Sequence, residues 1–168
     1  RPERGGVAPP PTPTQPALVR DGRFFRLATG ERWAGIESSE FRLYERFLRG
    51  EDVQPVLMER RDLGFNLLRV WLLNTSVGTI LPWKFPRFYA RLPEFVGLCA
   101  AYSLRVEFTV FTQTASLLPD RPAQEAHWRQ TLDVLAPLSC LVEKVNEDDQ
   151  HDNHTLLEEP WLPEPRVC

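Results

Sequence analysis

Four short apolar runs recur along this chain at nearly even intervals. They begin at Trp33 (WAGI), Phe65 (FNLLRVWLL), Leu104 (LRVEFTVF) and Leu141 (LVEKV), spaced 32, 39 and 37 residues apart. A β-strand, a crossover helix and two loops need about that length. Each interval also supplies a helix candidate. Residues 54–63 carry Val56, Leu57, Arg60 and Leu63 and stop at Gly64, a residue suited to the left-handed turn that ends helices. Residues 92–102 place Phe95, Leu98, Cys99 and Tyr102 at helical spacing, with Pro93 in the first turn. Residues 122–136 put Trp128, Leu132, Leu135 and Ala136 on one stripe behind Pro122, so Trp128 is assigned to the core. Strands alternating with helices in this way predict an α/β fold with a parallel sheet. Upstream, residues 23–27 and 29–33 flank a Gly30 turn and read as a small N-terminal β-ribbon, suited to closing the floor of a barrel.

Both ends of the chain have a different character. Residues 1–16 hold six prolines, three of them consecutive at Pro9-Pro10-Pro11, which predicts an extended, disordered leader over residues 1–20. Residues 156–168 carry Pro160, Pro163 and Pro165 among acidic side chains and read as a tail, with Leu156, Leu157, Trp161 and Leu162 available to dock on an exposed surface. The stretch between, residues 21–155, is assigned to one domain; 168 residues at 42% apolar content suffice for one core. A formal charge of −3 argues against a nucleic-acid partner, which calls for a basic face. No apolar run approaches the ~18–20 residues that span a bilayer, so no membrane partner is expected and the chain reads as soluble, its compartment open. Cys99, Cys140 and Cys168 are widely separated and odd in number, which fits neither a disulfide framework nor a zinc spacing. Asn74-Thr75-Ser76 and Asn153-His154-Thr155 are glycosylation sequons, a pattern that chance produces often.

The residues that carry chemistry stand at the ends of the predicted strands. Gly30…Trp33-Ala34-Gly35, Gly64-Phe65-Asn66-Leu67-Leu68-Arg69 and Val142-Glu143-Lys144-Val145-Asn146-Glu147 follow in the order and spacing of the cellulase-like glycoside hydrolases. The chain resembles the N-terminal half of these retaining (β/α)8 barrels over roughly residues 21–153. The resemblance implies a partial TIM barrel of about four βα units. It implies Glu147 as the general acid/base, Asn146 as the partner of the sugar 2-hydroxyl, and Arg69 as the group that orients a nucleophilic carboxylate. Trp71 and Trp83, at or beyond the end of the second strand, and Gln150, in the loop after the fourth, are expected to contact an oligo- or polysaccharide. No cofactor is implied.

Elementary chemistry gives independent reasons for these residue types. A departing glycosidic oxygen needs a proton, so one carboxyl must stay protonated near neutral pH. A guanidinium keeps a neighbouring carboxylate ionised and aimed. Barrel active sites lie at the C-terminal ends of the strands, where Glu147 falls. Alternation along the fourth strand puts Glu143, Val145 and Glu147 on one face. A buried Glu143 needs a partner, for which Arg69 is the candidate.

Several features depart from the pattern. Many relatives carry a histidine at the end of the third strand, where this chain reads Val110-Phe111-Thr112-Gln113. Lys144 would face the helices, where an apolar residue is expected. Retaining hydrolysis takes two carboxylates about 5–5.5 Å apart. The family's nucleophile follows strand seven, on the order of a hundred residues beyond Glu147 at ~250 residues per eight units. The expectation is therefore a β-glycan hydrolase in complete form and little activity from these residues alone. The alternative is a non-catalytic protein that binds glycan or pairs with another half, and open sheet edges favour self-association. A third reading, a metal site at His151 and His154, rests on their spacing of three within an oxygen-rich run.

Overall fold

A computed structural model of the chain describes residues 15–146. Three antiparallel strands come first: β1 (Leu18–Asp21), β2 (Phe24–Leu27) and β3 (Arg32–Trp33), in spatial order β1-β2-β3. A four-stranded parallel sheet follows, β4 (Glu37–Ser39), β5 (Leu67–Trp71), β6 (Arg105–Phe111) and β7 (Leu141–Val145), ordered as in the sequence. The crossovers are helical. Helices α1 (Leu43–Leu48) and α2 (Gln54–Asp62) join β4 to β5, α3 (Leu92–Ala101) joins β5 to β6, and α4 (Thr114–Leu117) and α5 (Arg121–Leu135) join β6 to β7.

Alternation along the strands divides the sheet into two faces. Leu68, Val70, Val106, Phe108 and Val110 point toward the helices and join Leu57, Phe95, Cys99, Trp128 and Leu135 in one core, all of them 0% exposed. A near-continuous apolar face of this kind is what a parallel sheet under helices requires. Lys144 stands on this face too, 7% exposed. The register aligns the opposite set, which we call the inner face: Glu37 and Ser39 beside Leu67, Arg69 and Trp71, then Glu107 and Thr109, then Leu141 and Glu143; at the strand ends Phe111 and Val145 join the main core, Phe111 against His127 and Trp128 of α5. Its lower end is covered by the ribbon. Leu18, Leu67 and Leu141 form a second buried cluster against Phe25, Leu27 and Trp33.

The helices over 54–62, 92–101 and 121–135 match the sequence reading to within a residue, and Trp128 is core as assigned. Three expectations need correction. The leader does not extend to residue 20: Leu18 is 2% exposed, and Leu18–Asp21 pair with β2 as a third ribbon strand. Arg105 fixes its entry, because a guanidinium amine donates to the carbonyl of Pro16 while the cation lies 5.6 Å from the centre of the Trp33 ring. The first parallel strand is Glu37–Ser39 rather than the apolar Trp33–Ile36 run; Trp33 belongs to the ribbon and Ile36 is 56% exposed. Asn66 decides this register. Its Oδ1 accepts the Ile36 amide at 2.7 Å and its Nδ2 donates to the Ala34 carbonyl at 2.9 Å, delivering the chain to β4 four residues late. The third is the set of helices, because α1 and α4, six and four residues long, were not anticipated.

Candidate active site

Arg69 is the third residue of β5 and projects onto the inner face across β6. Its Nε donates to Glu143 Oε2 at 2.9 Å and one terminal amine donates to Glu143 Oε1 at 2.5 Å, a forked contact with a carboxylate on β7. The same amine reaches Asn146 Oδ1 at 2.8 Å. Thr109, on the strand between, donates its hydroxyl to Glu143 Oε2. Asn146 follows β7 directly and is held by its backbone amide on the Phe111 carbonyl at 2.9 Å. Arg69, Glu143 and Asn146 are thus brought together at the upper part of the inner face, with the partner of Glu143 that alternation called for.

Burial works against the charge on Arg69, but the hydrogen bonds and charge of Glu143, with Glu107 and Glu37 beyond, outweigh it and raise its pKa. Glu107 stands directly beside Arg69 on β6, one step below Glu143 on the same face. Burial first, then the charge of Glu143 and a hydrogen bond with Glu37, push its carboxyl up to about 7. Three carboxyl groups therefore surround one guanidinium, and one of them holds its proton into the neutral range. Glu107, Thr109 and Glu37 were not singled out in the sequence. The signal was present, since Arg105, Glu107 and Thr109 alternate with Val106, Phe108 and Val110 along β6.

Trp71 ends β5 on the inner face and stacks on Phe41, ring centres 4.0 Å apart and planes at 24°. Its indole N–H is buried and meets no acceptor among the described residues. Gln113, where a histidine was expected, accepts from the amide and hydroxyl of Thr75 at 3.1 and 3.2 Å and ties the loop after β6 to the loop after β5. That second loop is closed by Asn74, which pairs with Ile80 and caps Val77, and is 2% exposed. The folded chain therefore buries Asn74, the acceptor of that sequon, while Thr75 and Ser76 stay exposed. Glu45 of α1, also 2% exposed, braces the same loop through the Thr79 amide at 3.2 Å.

Trp83 is not brought to the Arg69 cluster. It is 57% exposed in a groove shared with Gln130 of α5, in the helical layer. Glu147, Gln150, His151, His154 and the Asn153 sequon lie outside the described residues. Among the described residues no cluster of histidine, cysteine or carboxylate side chains could hold a metal, and no helix is long and apolar enough to cross a membrane.

No protein-family model and no curated protein matches the chain. Solved structures do. A candidate glycoside hydrolase from Bacteroides vulgatus superposes with a TM-score of 0.66 at 14% identity, over 82% of this chain and 33% of that one. The exo-β-1,4-mannosidase Op5Man5 from an Opitutaceae bacterium gives 0.56 at 18% identity, over 77% and 28%. The β-mannanase of the blue mussel Mytilus edulis gives 0.56 at 13% identity, over 79% and 46%. The chain therefore spans less than half the length of each of these neighbours. At such identities the likeness concerns the fold alone, and it is a fold that these three proteins share in part of their length.

Proposed function

We propose that this chain carries the acid/base half of a retaining glycoside hydrolase acting on a β-linked glycan. The observation that supports it best is the fork of Arg69 on Glu143 and Asn146. It ties the middle of β5 to the middle of β7 on the inner face of a parallel sheet and to Asn146 at the C-terminal end of β7, the end where such folds place their chemistry. Glu147 follows Asn146 directly. In this reading it protonates the leaving oxygen, then activates the water that releases the glycosyl-enzyme intermediate. Asn146, oriented through its Oδ1, addresses the sugar 2-hydroxyl, and Arg69 orients the nucleophilic carboxylate. Trp71 and the residue at Gln150 line the cleft. The nucleophile is assigned to the second half of the barrel.

The test is hydrolysis of aryl β-glycosides and β-linked oligosaccharides by the protein carrying both halves, with anomeric configuration followed by NMR. Glu147→Gln is expected to lower turnover of substrates with poor leaving groups by about 10²–10⁴-fold. An unchanged rate would sink the assignment. A second reading, a glycan-binding half that assembles with another chain, draws on the edges of the sheet. Among the described residues β4 pairs only with β5, and β7 only with β6. Glycan affinity without cleavage, insensitive to Glu147→Gln, would favour it.

A further inference from the structure

Where the ribbon meets the parallel sheet there is a cavity of about 350 Å³, at the N-terminal ends of the strands and so opposite to the end that carries Asn146. Leu27 and Trp33 of the ribbon line it, together with Asn66 before β5, Ser103 in the turn from α3 into β6, and Arg105 at the start of β6. Gln15 borders it as well. The volume falls in the range of roughly 300–1,000 Å³ that small-molecule sites occupy.

Arg105 is 4% exposed and is the one buried arginine among the described residues. Burial lowers its pKa, and the ionisable neighbour that opposes this is the Cys140 thiol; no described carboxylate does so. A guanidinium keeps its proton in proteins, so the cavity wall holds a charge without a counter-charge from the described residues. One terminal amine donates to Ser139 Oγ and the other to the Pro16 carbonyl. A neutral amide would serve a hydroxyl and a carbonyl as well, without the cost of burying a cation. The Trp33 ring, 5.6 Å away, supplies a π-face and no full negative charge. The two hydrogen bonds take one N–H from each terminal amine, which leaves the Nε–H and a second hydrogen on each amine.

Other donors converge on the same space. Asn66 spends Oδ1 on the Ile36 amide and one Nδ2 hydrogen on the Ala34 carbonyl, and keeps the other. Ser103 is exposed and stands at φ 61°, whereas the corresponding turn after α2 uses Gly64 at φ 88°. Glycine fills such a place at lower cost, but the serine brings a hydroxyl to the cavity.

We propose that this cavity binds a small oxyanion, a carboxylate or a phosphate, which forks on the free N–H groups of Arg105 and accepts from the Ser103 hydroxyl. A planar guanidinium and a two-oxygen acceptor match in geometry, and charge-assisted bonds of this kind are the strong ones. Trp33 and Leu27 give the body of the ligand an apolar wall. Nothing in this assignment rests on the hydrolase reading, which concerns the other end of the strands.

The test is titration of the full chain with acetate, D-glucuronate and inorganic phosphate at constant ionic strength, followed through the NMR signals of the Trp33 indole N–H and the Arg105 Nε–H. Saturable shifts of both are expected, with the backbone amides of Glu143 and Asn146 unmoved. Tighter binding of glucuronate makes the ligand a carboxylate and tighter binding of phosphate makes it a phosphate compound; either result supports the site. Arg105→Gln removes the charge but keeps an amide for Ser139 and Pro16, and is expected to weaken binding by at least about tenfold, Arg105→Lys by less. If Arg105→Gln fails to fold, Ser103→Gly decides, because glycine suits φ 61°; a several-fold loss of affinity is expected from it. Absence of saturable shifts, equal shifts with sodium chloride, shifts centred on Glu143 and Asn146, or affinity unchanged in either folded variant overturns the proposal.

Discussion

Arg69 and Glu143 are 20% and 27% exposed, so neither a surface pair's small worth nor a fully buried pair's large one applies unmodified. Arg69→Leu leaves Glu143 with only the Thr109 hydroxyl beside Glu107 and Glu37, a concentration of carboxylates without a cation. We expect it to lower stability by about 2–3 kcal/mol, below the 3–5 kcal/mol of a fully buried pair. Glu143→Gln keeps an acceptor for Arg69 and should cost about 1 kcal/mol. The double variant Arg69→Leu/Glu143→Leu should recover part of the loss, because no charge is then stranded. Urea midpoints measure all three, and an unshifted midpoint for Arg69→Leu would show the pair to be mere surface decoration. This contact was legible in the sequence because period-2 alternation leaves Glu143 only one face to occupy. The Glu37–Glu107 contact was not. Its two residues lie 70 positions apart on strands separated by β5, and no local pattern encodes such a diagonal meeting.

At the scale of elements, the longer helices were readable because their apolar stripes, entry prolines and Gly64 agree with one another. The first parallel strand was not, and the reason is physical. Glu37-Ser38-Ser39 has the composition of a loop, and the apolar Trp33-Ala34-Gly35-Ile36 beside it has that of a strand. Pairing with β5 is imposed from 30 residues away by Asn66, whose carboxamide holds both the Ile36 amide and the Ala34 carbonyl. Gly35 fits this path closely: a Cβ there would stand 3.1 Å from both Leu67 and Trp33 side-chain atoms. Asn66→Ala is therefore expected to remove two side-chain hydrogen bonds and cost about 1–3 kcal/mol. Hydrogen exchange gives the sharper readout. The amides of β4 should lose protection while those of β6 and α5 keep theirs, and equal loss throughout would mean that Asn66 supports the whole core instead of one register.

For the molecule as a whole, two titrating groups on opposite faces of the sheet set the response to acid, and they pull in opposite directions. His127 is 3% exposed under α5; it takes a hydrogen bond between Nδ1 and the Tyr89 hydroxyl at 2.8 Å and places Nε2 3.3 Å from the Val110 carbonyl. A carbonyl only accepts, so Nε2 carries the proton and the ring is neutral. Burial lowers its pKa from 6.5 to about 4, so between those values the unfolded chain binds the proton and the folded chain does not. Its contribution is complete above pH 6.5 and is lost as pH falls toward 4, by up to about 3 kcal/mol. Glu107 behaves inversely. Its pKa rises from 4.5 to about 7, so the folded chain holds the extra proton, and its contribution is complete below pH 4.5 and lost as pH rises to 7. Solvent reaches part of that carboxyl, so its share is the smaller. Across pH 4.5–6.5 the two slopes oppose, and stability should change little until the pH drops below that window. Glu107→Gln removes only the second contribution. Its stability should climb steadily from pH 4 to pH 6.5, steeper than the parent chain over the same interval. His127→Gln, which keeps a donor and an acceptor in place, should instead decline from pH 4.5 to 7. Urea unfolding at half-unit pH steps separates the profiles. Parallel curves for Glu107→Gln and the parent chain would mean that Glu107 is ionised in the folded protein, and that the inner face carries three full negative charges around Arg69.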